Sequence, residues 1–209
     1  MRHSFYDFVV PKGNEDDFCK MANKLGYQGI FFSYTLGDFL AIKGKLDEMK
    51  KKLSSDYKLD IYFSIICDNE KDIEKAKKLT KSVVLISNKE SDIRNIVQKF
   101  RPSIITNTEF QTHDFMHHRA GINQVIAIAM KDNNVSYGIS LKLLFSSKYK
   151  AEIIGRMKQN VMLVKKYSVP IKIFSLAKDP YEMKGFLDIV SFAVFLGMNP
   201  GQAKRSLNK

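Results

Sequence analysis

The sequence predicts an α/β protein with a TIM-like (β/α) barrel, regular or distorted, that forms a single domain over residues 1–209 and ends in a short helix. Apolar strands alternate with amphipathic helical segments in about seven units of roughly 20–30 residues each. Right-handed crossovers close such a series more readily than they leave an open sheet of this length, so a barrel is favoured. An open, doubly wound sheet is the alternative.

The clearest unit lies between Ser103 and Leu144. Its two β-branched strands are predicted at Ile104–Thr106 and Val135–Ile139. Apolar residues at helical spacing between them predict one buried helix face, formed by Ile122, Val125, Ile126 and Ala129. A strand, a helix and a second strand form a βαβ unit, so the two strands are expected to lie parallel in one sheet.

Four strands are predicted before this unit, at Phe5–Val10, Gly29–Phe32, Leu59–Cys67 and Val83–Ser87. Helices are predicted between them at residues 15–25, 46–53, 70–79 and 88–100. Asn14 is a typical N-cap for the first helix, and Gly26 is a typical stop signal. The segment Phe39–Ile42 is predicted to be extended.

The C-terminal third continues the alternation. Ser147 is expected to cap a helix over Lys148–Tyr167, and the strand Ile171–Phe174 follows. Asp179 and Pro180 then predict the start of a helix over residues 181–196. A short basic helix is expected to follow from residue 199 to about residue 207.

The charge of the chain favours a polyanion as partner. The formal net charge is +12, and residues 142–209 carry 13 Lys and Arg against 4 Asp and Glu. The two cysteines match no metal or redox spacing, and we expect them to be reduced core residues. Without a signal peptide or a membrane-length apolar run, we expect a soluble, cytoplasmic protein that does not contact a membrane.

The residues offer little catalytic chemistry. No Gly-x-Ser-x-Gly elbow, Gly-x-Gly-x-x-Gly loop or Gly-Lys-Ser/Thr loop is present. Most predicted strands end in Ser, Thr or Asn, and three of the four histidines share one loop. A metal site needs ligands that converge from several strand ends. We therefore expect no catalytic residue, no metal ligand and no cofactor.

Anion binding has more support. His117, His118 and Arg119 precede Gly121 near a predicted helix N-terminus, where free N–H groups favour a phosphate. Lys142 follows the next strand, and further basic residues follow later strands or lie on the final helices. These further residues are Lys172, Lys178, Lys184, Lys204 and Arg205. The set predicts a nucleic-acid surface that contacts the backbone with little sequence preference.

Several segments carry a family resemblance. They are Asn123–Ile126, the strand Asn133–Lys142 (NNVSYGISLK), Ser87-Asn88 after an apolar strand, and Leu196–Lys204 (LGMNPGQAK). In order and spacing they resemble the archaeal ribonuclease P protein component 3 family, whose eukaryotic relatives form the thirty-kilodalton subunit. The resemblance extends from about Asp60 to Lys204.

The resemblance implies a TIM-like barrel related to the metal-dependent phosphatases of the PHP class, but without their metal ligands. It implies a subunit of the endoribonuclease that removes the 5′ leader from precursor tRNA, in which the RNA supplies the magnesium-dependent catalytic site. The implied partners are ribonuclease P RNA, a Pop5-type subunit in a heterotetramer, and other ribonuclease P proteins.

The resemblance also implies RNA-binding residues. Arg94, Lys142, Lys184 and Lys204 stand where the family tends to have basic residues. We add Arg205 and the loop residues His117, His118 and Arg119, although Arg119 replaces an acidic residue of the family pattern. Two other functions stay open: a metal-dependent phosphoesterase of the related barrel class, and an assembly protein whose charge only keeps it soluble.

Overall fold

Seven parallel strands form one sheet, and each strand pairs with the next in chain order. In this computed structural model, residues 4–87, 92–110 and 121–209 are described. The strands are β1 (Tyr6–Val9), β2 (Gly29–Thr35), β3 (Asp60–Cys67), β4 (Val83–Ile86), β5 (Ile104–Thr106), β6 (Ser136–Ser140) and β7 (Ile171–Phe174). The predicted α/β barrel in a single domain is confirmed.

The seam between β1 and β7 is closed in two ways. Beyond β7, the backbone N–H of Leu176 donates to Phe8 O (2.8 Å), and that of Val10 donates to Ala177 O (2.7 Å). At the opposite end of the seam, the backbone N–H of Tyr6 donates to Leu207 O (2.8 Å). The C-terminal segment therefore covers the N-terminal end of the seam, and the barrel is nearly closed.

The helices lie between consecutive strands and after β7. They are α1 (Glu15–Lys24), α2 (Leu36–Ile42), α3 (Leu46–Tyr57), α4 (Glu70–Lys77), α5 (Ile93–Asn95), α6 (Gln124–Asp132), α7 (Leu141–Ser146), α8 (Lys150–Lys166), α9 (Phe186–Phe195) and α10 (Pro200–Arg205). Shorter helical turns are Lys43–Lys45, Ile96–Phe100, Thr108–Phe110 and Pro180–Glu182. Asparagine side chains at 69, 123 and 199 accept backbone N–H groups at the starts of α4, α6 and α10.

The apolar core has two parts. The larger part lies between the strands and the helices, and the smaller part lies inside the barrel. The inner part comprises Tyr6, Phe8, Phe31, Val84, Ile104, Phe174 and Leu176. Gly138 lies where a Cβ would approach Ile104 Cγ2 to 2.6 Å, so this wall of the barrel has no room for a side chain. No described helix is both long and apolar enough to cross a membrane.

Two predictions about secondary structure are wrong. The segment Phe39–Ile42 belongs to α2, because Thr35 adopts an extended conformation and its hydroxyl accepts the N–H of Asp38 (3.3 Å). The predicted helix over residues 181–196 is interrupted, since Met183 and Gly185 are both extended (ψ 148° and 144°). The chain therefore forms one short turn, a break and then α9.

The helix faces were also predicted with errors. Val125 is exposed, whereas Ala127, Ala129 and Met130 are buried in α6. All residues from 125 to 130 are apolar, so the spacing alone does not define a face. The helix α7 was not predicted, and α8 begins at Lys150, two residues later than expected.

Candidate nucleic-acid interface

Lys142 and Lys184 lie at the same end of the barrel, where the strands have their C-termini. Ser140 ends β6 and caps α7, since its hydroxyl accepts the N–H of Leu143 (3.4 Å). Two residues after Ser140, the backbone N–H of Lys142 donates to Ser175 O, which lies just beyond β7 (3.0 Å). The end of β7 therefore fixes the position from which the Lys142 side chain projects.

A surface cleft of about 400 Å³ lies beside these residues. We call it the upper cleft; it is lined by Lys142, Phe145, Ser146, Ser175, Tyr181, Glu182 and Lys184. Phe145 is 54% exposed and Tyr181 is 84% exposed. The Lys184 ammonium lies 5.8 Å from the centroid of the Phe145 ring. Cationic and aromatic side chains thus share one accessible surface.

Lys142 is not a free cation. Its ammonium donates to both carboxylate oxygens of Glu182, at 2.7 and 2.5 Å. Glu182 also accepts the backbone N–H of Lys178 (2.8 Å). The hydrogen bond from Lys142, followed by that from Lys178, lowers the pKa of the Glu182 carboxyl below its ordinary value. Within the upper cleft, Glu182 therefore neutralises Lys142, and Lys184 supplies the net positive charge.

Lys204 and Arg205 lie at the opposite end of the barrel. Both belong to α10. The residues after α10 accept backbone N–H groups from Tyr6, at the start of β1, and from Ile173 in β7, through Leu207 O and Ser206 O. Arg205 lines a second cleft of about 350 Å³, together with Lys165 and Lys172. The predicted basic residues therefore form at least two separate groups.

The remaining predicted RNA-binding residues lie at Arg94 and in the loop with His117, His118 and Arg119. Arg94 is exposed in α5, which follows β4 after the residues 88–91 that are not described. His117, His118 and Arg119 lie outside the described residues. The backbone at Gly121, just after these undescribed residues, packs against Thr108, which precedes them. The contact is so close that a Cβ on Gly121 would lie 2.2 Å from Thr108 O.

A buried polar cluster, which the sequence did not predict, surrounds Glu109. The Glu109 carboxylate accepts hydrogen bonds from the Tyr137 hydroxyl, from Asn160 Nδ2 (3.0 Å) and from Thr108 Oγ1 (3.3 Å). Burial raises the pKa of Glu109 above its ordinary value. Arg156 donates to Glu109 O (2.8 Å). The cluster joins the end of β5 to α8 and is a structural support rather than a solvent-accessible site.

The described part of the barrel offers no constellation for metal catalysis. No three His, Cys, Asp or Glu residues among residues 4–87, 92–110 and 121–209 come close enough to hold a metal ion. Inside the barrel, Ser33 Oγ and Ser64 Oγ form a hydrogen bond (2.6 Å). Apolar neighbours, including Val10, Ile66 and Ile86, pack against the inner core.

The comparisons with known proteins identify the family. A family model described as RNase P subunit p30 matches residues 4–209. The chain belongs to this family. The p30 resemblance seen in the sequence is thus confirmed, and the match spans all seven strands and the helices around them.

Curated p30 relatives carry a consistent name. "Ribonuclease P protein component 3" of Methanosarcina mazei is 26% identical over 98% of this chain and 85% of its own length. The protein of the same name from Methanothermobacter thermautotrophicus is 22% identical over 97% of this chain and 85% of its own length. That from Thermococcus kodakarensis is 36% identical over 42% of this chain and 41% of its own length.

Solved structures support the barrel. A chain in a cryo-EM structure of archaeal ribonuclease P with mature tRNA has a TM-score of 0.75 at 22% identity, over 96% of this chain and 86% of that chain. Histidinol phosphate phosphatase from Lactococcus lactis, in complex with zinc, L-histidinol and phosphate, has a TM-score of 0.62 at 10% identity over 99% of both chains. At these identities the likenesses establish the fold alone.

Proposed function

We propose that the chain is a protein subunit of ribonuclease P, which binds and supports the catalytic RNA during removal of the 5′ leader from precursor tRNA. The observation that carries the proposal is the match of the p30 family model to residues 4–209. In this proposal the RNA supplies the catalytic site, the chain itself needs no cofactor, and magnesium serves the RNA.

The upper cleft is the proposed RNA contact at one end of the barrel. Lys184 would neutralise a backbone phosphate, and the exposed rings of Phe145 and Tyr181 would stack on unpaired bases. RNA in single-stranded loops presents both chemical groups together. Lys142 would join the phosphate contacts when an incoming phosphate competes with Glu182 for its ammonium.

Further contacts are proposed from the remaining basic residues. Lys204 and Arg205 at the opposite end of the barrel would reach a second part of the RNA, and Arg94 a third. The histidines at 117 and 118 and the arginine at 119 stay predicted contacts. Dispersed phosphate contacts suit an RNA that is large compared with the chain, because each contact fixes position without reading sequence.

Protein partners complete the proposal. A small Pop5-type subunit would pair with the chain in a heterotetramer, alongside other ribonuclease P proteins in the cytoplasm. Exposed apolar side chains on α9 support a protein contact: Leu187 is 64% exposed, Val194 41% and Phe195 55%. Exposed apolar residues grouped on one helix are more typical of an interface than of free surface.

The salt dependence of RNA binding tests the upper cleft. The variant Lys184→Ala is expected to lower the affinity for ribonuclease P RNA and to reduce the slope of log K against log salt by about 0.7–0.9. Lys20→Ala, which removes an exposed lysine that pairs with Asp17 on α1, is the matched control. Binding by the unmodified chain that does not respond to salt would instead support the assembly-protein alternative.

A further inference from the structure

A cavity of about 540 Å³ enters the barrel from the end opposite the upper cleft. We call it the basal cavity. It exists because β3 begins well before β4: the first paired residue of β3 towards β4 is Ile65, opposite Val83, whereas β3 itself starts at Asp60. The first part of β3 therefore has no strand partner on that side, and the barrel interior is open there.

The inner wall of the basal cavity is aromatic. Phe8 and Phe31 stack with ring centroids 4.3 Å apart and an interplanar angle of 4°. Tyr62 continues the stack, 4.9 Å from Phe31 at 27°. All three rings line the cavity. The interior of such barrels is normally filled by side chains, so an open space beside stacked rings is suited to another flat ring.

The rim of the basal cavity is cationic. Its described lining residues include Lys81, Lys172 and Lys209 and no acidic residue. The Lys209 ammonium lies 3.9 Å from the centroid of the Tyr62 ring, and that of Lys50 lies 5.5 Å from it. Asp60, at the start of β3, accepts a hydrogen bond from the Tyr6 hydroxyl (2.9 Å) and does not line the cavity.

Lys172 connects the rim with the interior. Its side chain is half-buried at the start of β7, and its ammonium donates to Asn208 O (2.5 Å). Burial lowers the pKa of Lys172 below its ordinary value, since the charged form loses solvent there. A bound anion would supply the counter-charge that the described lining residues lack.

We propose that the basal cavity binds one nucleotide, whose base takes the place of the Lys209 ammonium on the face of the Tyr62 ring turned away from Phe31, and whose phosphate is held by Lys172 and by the displaced Lys209. A cavity of this volume falls in the range of small-ligand sites. The same chemistry belongs to a free mononucleotide and to one unstacked residue of an RNA strand. This site is separate from the upper cleft and does not depend on the proposed role in ribonuclease P.

Both halves of the ligand are needed to explain the site. A simple anion would use the lysines but would make no use of the Tyr62 ring at the cavity wall. An uncharged apolar ligand would fit against the rings but would leave the lysines without a counter-charge. Stacking on an aromatic side chain stabilises a bound base with little dependence on which base it is.

Calorimetric titration of the full chain tests the proposal. We expect AMP and CMP to bind, and adenosine, ribose 5-phosphate and inorganic phosphate to bind at least about tenfold more weakly, since each lacks one of the two stabilising contacts. Equal affinity for ribose 5-phosphate and AMP would overturn the stacking contact. Failure of the mononucleotides and of a short RNA oligonucleotide to bind would overturn the whole proposal.

Variants locate the site. Tyr62→Leu and Lys209→Ala are each expected to weaken mononucleotide binding about tenfold, and Tyr62→Phe, which retains a ring, to preserve it. Lys209 is exposed near the C-terminus, so its replacement tests the site without disturbing the core. Lys20→Ala is the control and is expected to bind as the unmodified chain does. Full affinity in both Tyr62→Leu and Lys209→Ala would overturn the assignment.

A short RNA oligonucleotide distinguishes the two possible ligands, a free mononucleotide and one residue of an RNA strand. If an RNA pentanucleotide binds more tightly than AMP and loses this advantage in Tyr62→Leu, the site takes an RNA residue. If AMP binds as tightly as the oligonucleotide, it takes a free nucleotide. Oligonucleotide binding that Tyr62→Leu does not change would come from another surface, and together with no binding of AMP it would contradict the proposal.

Discussion

Replacing Glu182 by Gln is expected to increase the affinity for RNA. Glu182 neutralises Lys142 through oxygens at 2.7 and 2.5 Å from its ammonium. Glutamine removes the negative charge but keeps an oxygen that can accept the N–H of Lys178. The local backbone should therefore be preserved while Lys142 becomes available to a phosphate.

The magnitude follows from the number of phosphates neutralised. Each neutralised phosphate changes log K by about 0.7–0.9 per tenfold change in salt, so one freed lysine is expected to tighten binding about five- to eightfold in about 0.1 M salt. The cost in folding stability should be about 1 kcal/mol or less, because the paired side chains remain 27% and 44% exposed.

Filter binding of ribonuclease P RNA over a range of salt concentrations measures both the affinity and the slope. Glu74→Gln removes an exposed acid from α4, away from the upper cleft, and controls for the change in net charge. Lys142→Ala should abolish the gain in the Glu182→Gln background, because no freed ammonium is then available. Equal gains in Glu182→Gln and Glu74→Gln, or weaker binding by Glu182→Gln, would refute the reasoning.

Three further predictions concern stacking, folding and pH. Tyr181→Ala is expected to weaken RNA binding about tenfold through lost stacking, with an unchanged melting temperature because the side chain is 84% exposed. Gly138→Ala is expected to lower the free energy of unfolding by about 1–3 kcal/mol in denaturant titrations, because the new Cβ would meet Ile104 Cγ2 at 2.6 Å. Burial raises the pKa of Asp7 from 3.8 to about 6, so the folded chain keeps a proton that the unfolded chain releases as the pH rises. The wild-type free energy of unfolding should therefore fall by about 3 kcal/mol, relative to that of Asp7→Asn, as the pH rises from about 4 to above 6. Denaturant titrations across this pH range measure it, and a constant difference would show that Asp7 does not titrate in this way.

The strands were predicted well from the sequence because each is a short apolar run with turn residues around it. β3 and β4 illustrate this, since both faces of their residues are covered and the runs are nearly continuous. Helix faces were predicted less well where every position is apolar. In α9 the residues 192–195 are all apolar, and only packing decides that Ala193 is buried while its neighbour Val194 is 41% exposed.

The candidate site was predicted in part. Lys142 and Lys184 come together because both follow the ends of neighbouring strands, which chain order indicates. The ion pair with Glu182 joins residues 40 positions apart, and no local pattern identifies it. Arg205 was grouped with the other basic residues, yet α10 lies at the opposite end of the barrel.

The exposure of aromatic side chains and the buried polar cluster could not be predicted from the sequence either. Tyr181 follows a proline in a helix-start pattern, which gives no sign that its ring is exposed. Glu109 lies in a stretch without periodicity, and its burial depends on Tyr137 and Asn160, which belong to a distant strand and helix. Such contacts arise only when the barrel closes.

Reconstituted cleavage of precursor tRNA tests the central claim most directly. Ribonuclease P RNA and the proposed Pop5-type partner are assayed at low magnesium, with and without this chain, and the rate of 5′ leader removal is measured. We predict a clear increase in rate when the chain is added, and no cleavage by the chain without the RNA. An unchanged rate on addition, or cleavage by the chain alone, would contradict a subunit that supports a catalytic RNA.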